Sequence, residues 1–290
     1  MSIELLFDTK CSLGEGPIWD HERNSFYWVD IIGKKIFKYD STIDEVNIAN
    51  FDQHVGCVSP RKSGGLIVAL QDGFFFYDWE DEVLKQINDP ESHLEDNRFN
   101  DGKCDPSGRF WAGTTDSVGI DGKGALYLLD TDLRVSKMID NVGTSNGLAW
   151  SPDHKHMYFI DTPTKQVVQY NFDLISGGID QPKIAIQFPA NVGLPDGMTI
   201  DQDGMLWIAH WGGSGISRWN PSTGKQLDFI SIPAINVTSC IFGGEELNEL
   251  YITTARIGTT DEELNRYPNA GGIFKLKTNV KGCINSSFGS

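Results

Sequence analysis

Positive charge is scarce in this chain: 24 Lys and Arg residues face 40 Asp and Glu, for a net charge of −16. A phosphate backbone or an anionic bilayer surface would be repelled at long range, so neither nucleic acid nor membrane is expected as a partner. The opening segment MSIELLFDTKCSLGEG carries acidic residues early and has neither a basic stretch nor a continuous apolar run, which argues against a signal peptide or a membrane span. Cysteine is sparse as well. Cys11, Cys57, Cys104, Cys240 and Cys283 are odd in number, widely spaced and form no CxxC pair, which excludes a zinc ribbon and fits free thiols in a reducing compartment. A cytoplasmic protein is therefore expected, and the Asn-x-Ser/Thr triplets at Asn236 and Asn285 then carry no glycosylation meaning. No long segment has a 3.6-residue apolar period, so an α/β reading fails.

What is abundant is aromatic and glycine-punctuated repetition. Six similar segments each carry a short apolar run, a polar turn and a second run with alternating aromatics. They begin at Glu15, Gly56, Asn100, Asn146, Asp196 and Thr238, and are spaced 41, 44, 46, 50 and 42 residues apart. That is the length of a four-stranded propeller blade, and six blades use up the chain. The expected fold is all-β: one six-bladed β-propeller domain over residues 1–290, with four-stranded blades. The last blade ends near Gly271 to Lys277 one strand short. The apolar run Ile3 to Asp8 is expected to supply that strand, closing the ring and leaving no long exposed edge.

Alignment of the blades on their first turn exposes a second regularity. Glu15, Asn100, Asn146 and Asp196 each lie five residues before Asp20, Asp105, Ser151 and Asp201. Equivalent positions in a propeller point at the mouth of the axial channel, so four of six blades aim an oxygen donor into one small volume. Two carboxylates forced together there repel unless a cation compensates them. Oxygen-only donors favour hard ions, Ca²⁺ first, with Mg²⁺ or Mn²⁺ also suited and Zn²⁺ less so. The other two blades offer His54, read as channel lining rather than a ligand, and Ser239.

The segments LGEGPIWD (13–20), RFNDGKCDPSGRFWAGT (98–114), SNGLAWS (145–151) and LPDGMTIDQDGMLWIA (194–209) resemble the senescence marker protein, gluconolactonase and regucalcin family of sugar lactonases over nearly the whole chain. The resemblance implies a six-bladed propeller holding a single divalent metal on Glu15, Asn146 and Asp196. It also implies hydrolysis of small lactones, chiefly aldonolactones, with Arg98 and Asn100 holding the substrate's hydroxyl and carbonyl groups and Asp101 a weaker candidate beside them. Asp196, ligating through one oxygen and facing water with the other, is the candidate general base. Alternatives are an ester or lactone hydrolase with non-sugar substrates and a non-catalytic calcium-binding propeller. The expected assembly is a monomer or a weak homodimer.

Some positions depart from the pattern or mislead. Some relatives carry an acidic substrate contact after the AGT element. Here the stretch reads TDSVGIDGKG, with Asp116 or Asp121 as substitutes. His210 and Trp211 either line the pocket or pack on the blade. GTSNG (143–147) matches a nucleophile elbow around Ser145, but that elbow needs a strand–turn–helix context and this segment continues as strand, turn and strand. DQDG at 201–204 resembles the start of a calcium loop, yet Met205 stands where the third ligand belongs, so it is read as a blade turn.

Overall fold

The computed structural model describes residues 2–289 and contains six four-stranded antiparallel sheets arranged as the blades of a propeller. The inner strands are Gly14–Asp20, Val55–Pro60, Asn97–Cys104, Ser145–Trp150, Leu194–Ile200 and Asn236–Gly243. They are almost entirely buried, whereas outer strands such as Val83–Asn88 are largely exposed. Aromatic side chains fill the seams between neighbouring blades: Trp19 stacks on Tyr251, Phe74 packs on Phe99, Trp111 on Trp150 and Trp207 on Phe242. These large apolar faces make the seams the core and leave the channel walls to the strand starts.

The ring closes as expected. Ile3–Phe7 pairs antiparallel with Ile273–Lys277, Ile3 opposite Leu276 and Leu5 opposite Phe274, and completes the last blade. Two further elements lie outside the repeat pattern. Asp261–Arg266 forms a short helix started by a capping box between Thr260 and Glu263. Beyond the last blade strand, the C-terminal segment crosses the far end of the channel. Gly282 bridges to Asp201, while Phe288 bridges to Arg61 and buries its ring in the seam containing Phe74, Phe99 and Phe110. Truncating Phe288 to Ala is expected to cost about 3–5 kcal/mol, measurable by urea unfolding. A loss below about 1 kcal/mol would mean that the strap is not anchored there.

The Asp and Ser residues of the first turns explain the repeated register. Asp105 accepts from the Ser107 and Arg109 amides and from Trp111 Nε1, and Asp201 accepts from the Asp203 and Met205 amides and from Trp207 Nε1. Each fixes a hairpin turn, so the position five residues earlier falls at the same height on the channel wall. All five cysteines are unpaired, and among the described residues no helix is long and apolar enough to cross a membrane.

Candidate active site

Every inner strand has a register shift at its channel end: between Glu15 and Ile18, Val55 and Cys57, Phe99 and Gly102, Asn146 and Leu148, Pro195 and Met198, and Val237 and Ser239. A bulge adds an unpaired residue and re-aims its side chain. Four of the bulges carry Glu15, Asn100 with Asp101, Asn146 and Asp196. The glycine after the donor lets adjacent strands close in: a Cβ on Gly197 would lie 2.0 Å from Ser239 Oγ, and one on Gly147 would lie 2.8 Å from the Asp196 carbonyl oxygen.

Glu15, Arg98, Asn100, Asn146 and Asp196 meet around a cavity of about 210 Å³ at one end of the channel. A hydrogen-bond chain runs through three blades. Arg98 Nη1 donates to Asn100 Oδ1 at 2.8 Å, and Asn100 Nδ2 donates to the Ser145 carbonyl at 2.9 Å and to Asn146 Oδ1 at 3.2 Å. Asn146 Nδ2 donates to Thr162 Oγ1 at 2.8 Å, and Thr162 donates onward to the Pro195 carbonyl at 2.9 Å. Because Thr162 has committed its proton, it can only accept from Asn146, which fixes Asn146 Oδ1 on the opposite side as an acceptor.

The electrostatics are unbalanced. Glu15, Asp101 and Asp196 are all buried within reach of one another, against the cations Arg98 and Lys103. Burial, with the Asp101 charge behind it, pushes Glu15 up to about 8. Burial and then the Glu15 charge hold Asp196 well above the carboxylate range, and burial raises Asp101. Arg98 is pushed down to about 10 by burial. Such a set is short of positive charge, and two carboxylates with an oriented carboxamide oxygen form a hard-oxygen donor set that fits one divalent cation. Among the described residues no three His, Cys, Asp or Glu side chains are arranged as a metal cluster; the fit depends on the carboxamide.

Other expectations resolve variously. Asp101 Oδ1 accepts from the Gly102 amide at 2.7 Å, and Asp101 is not among the cavity-lining residues. Asp116 accepts from the Val118 and Ile120 amides and so braces its own loop, while Asp121 is exposed beside Asp161; neither lines the cavity. His210 and Trp211 part ways, as successive strand residues must. His210 is fully buried between the Val192 carbonyl and Ser217 Oγ, whereas Trp211 lines the cavity with Leu13 and Leu194. His54 is half-buried, and its Nδ1 has no hydrogen-bond partner. Ser239 packs against Gly197 instead of facing the cavity. Ser145 is buried in an inner strand paired with His156–Asp161, without a base beside its hydroxyl, so the nucleophile-elbow resemblance is accidental. Thr144 and Thr162, absent from the sequence reading, complete the polar wall.

The fold and the pocket together define a six-bladed propeller with a buried, oxygen-rich site on its axis. The chain belongs to the SMP-30/gluconolactonase/LRE-like family, whose model matches residues 13–256. It is 42% identical over 282 residues to a Bacillus subtilis (strain 168) protein named "Putative sugar lactone lactonase YvrE", with 97% of each chain covered. It is 38% identical to human regucalcin, covering 99% of this chain and 98% of that one. Among solved structures, a calcium-binding protein, regucalcin, from Agrobacterium tumefaciens superposes with a TM-score of 0.94 at 26% identity, covering 99% of this chain and 97% of the other.

Proposed function

We propose that this protein is a metal-dependent lactonase that opens small sugar lactones of the aldonolactone type to their aldonic acids. The observation that carries the reading is the convergence of Glu15, Asn146 and Asp196 with the Arg98–Asn100 pair on one small cavity. Family membership and the name of the Bacillus subtilis relative support the reaction class. The calcium-binding description of the Agrobacterium protein supports a divalent cation, with Ca²⁺ first among the candidates.

Glu15, Asn146 and Asp196 would hold the cation, which when bound polarises the lactone carbonyl and lowers the pKa of a nearby water. Asn100, whose two amide protons are committed to the Ser145 carbonyl and Asn146 Oδ1, is held by Arg98 so that the remaining lone pair of its Oδ1 accepts from a substrate hydroxyl. The free N–H groups of Arg98 bind hydroxyl or carbonyl oxygen. Leu13, Leu194 and Trp211 face the apolar side of the ring and exclude bulk water. Asp196 takes the proton as water adds to the carbonyl carbon, and returns it to the ring oxygen when the carbon–oxygen bond breaks. The unpaired thiols support a cytoplasmic location.

Asn100→Ala is expected to raise KM about tenfold, the scale of one neutral hydrogen bond, with kcat changed much less. Steady-state kinetics of the metal-stripped protein, after adding back Ca²⁺, Mg²⁺, Mn²⁺ or Zn²⁺, test the reading across aldonolactones and aryl esters. Hydrolysis of aryl esters alone would contradict the sugar-lactone assignment, and full activity in chelator would contradict the metal dependence.

A further inference from the structure

Lys103 lies on the third blade's inner strand, two residues past Asp101, and its stem lines a second cavity of about 460 Å³ at the opposite end of the channel. Its Nζ crosses the axis to donate to the Met198 carbonyl at 2.8 Å and the Leu148 carbonyl at 3.2 Å. Those carbonyls are two residues past Asp196 and Asn146 on their own strands, a step of roughly 6–7 Å. The ammonium therefore lies one tier beneath the carboxylates: burial lowers its pKa, and the nearby charges of Asp101 and Glu15 act against that and favour the charged form. Among the described residues no carboxylate accepts a hydrogen bond from it, so its tie to the acidic tier is through the field alone, while its protons brace three blades.

We propose that Lys103 is the internal counter-cation of the channel: its fixed charge offsets part of the repulsion among Glu15, Asp101 and Asp196 in the cation-free protein, and thereby weakens and sets the affinity for the incoming divalent ion. This rests on the divalent-cation reading of the site above but not on the lactonase reaction. A positive charge at this distance in a poorly screened channel opposes a second cation more than surface charges do.

Calorimetric titration of Ca²⁺ into the metal-stripped full chain at pH 8 tests it. Lys103→Met is expected to bind Ca²⁺ about tenfold tighter than wild type, and Lys103→Arg to stay within about threefold of it. Lys103→Gln keeps an N–H donor for the strand carbonyls while removing the charge; it should bind tighter as well, and it serves if the Met variant does not fold. A merely structural brace predicts the opposite, weaker binding in every variant that loosens the channel. Unchanged or weaker binding in the neutral variants, with a wild type that binds, overturns this assignment alone. A wild type that takes up no Ca²⁺ at millimolar concentration overturns it together with the metal reading.

Discussion

Asp196→Ala is expected to remain a folded propeller, to take up no stoichiometric divalent cation, and to hydrolyse lactones at least about 10²- to 10⁴-fold more slowly, the contribution of a positioned base alone. Two losses coincide because one side chain is assigned two jobs, as cation ligand and as acceptor of the water proton. Stability should not fall with activity. Asp196 is buried against Glu15 and within the field of Asp101, and this crowding of buried acids holds it well above the carboxylate range, so its removal relieves a repulsion that outweighs its hydrogen bonds to Glu15 and the Gly197 amide. Metal content by atomic emission, turnover by acid release and melting temperature in chelator separate the three effects. A variant that is metal-free yet active refutes the assignment, and one that is inactive but still metal-loaded confines Asp196 to the base role.

Raising the pH in the presence of chelator should lower the stability of the wild type, and divalent cation should abolish that dependence. The sign follows from the direction of the shifts. Glu15 is pushed up to about 8 and Asp196 is held well above the carboxylate range, whereas both are near the ordinary carboxylate value, about 4, in the unfolded chain. Above that value the native state holds more protons than the unfolded state, so stability is fully present at lower pH and declines as pH climbs through the folded pKa of Glu15. Melting temperature should thus drop between about pH 5 and about pH 9 in chelator and stay level with Ca²⁺. A metal-free protein whose stability is indifferent to pH over that window would show that the carboxylates are already compensated.

Much of this molecule is legible from spacing. The repeats locate the inner strands because a turn-capping Asp or Ser at 20, 105, 151 and 201 fixes each hairpin, and the channel residue follows from it by counting back five. Closure by Ile3–Phe7 is legible from a blade short of one strand. What spacing does not give is the difference between metal donors and substrate contacts: Asn100 and Asn146 occupy the same register, and only the Arg98 and Thr162 hydrogen bonds tell them apart. Thr162 was out of reach because it follows the second strand of its blade, where loop lengths vary. Asp116 misled because a loop Asp that ties its own amides looks the same in sequence as one that meets a ligand. The Thr260 capping box is a recognisable four-residue signal, but it sits in an insertion that lies outside the repeat pattern.

The most direct measurement is an anomalous difference map from crystals soaked in Mn²⁺. One peak per chain is predicted, contacted by oxygens of Glu15, Asn146 and Asp196 and by no other side-chain ligand. A peak seated elsewhere, or these three groups gathered around water at saturating Mn²⁺, would contradict the account.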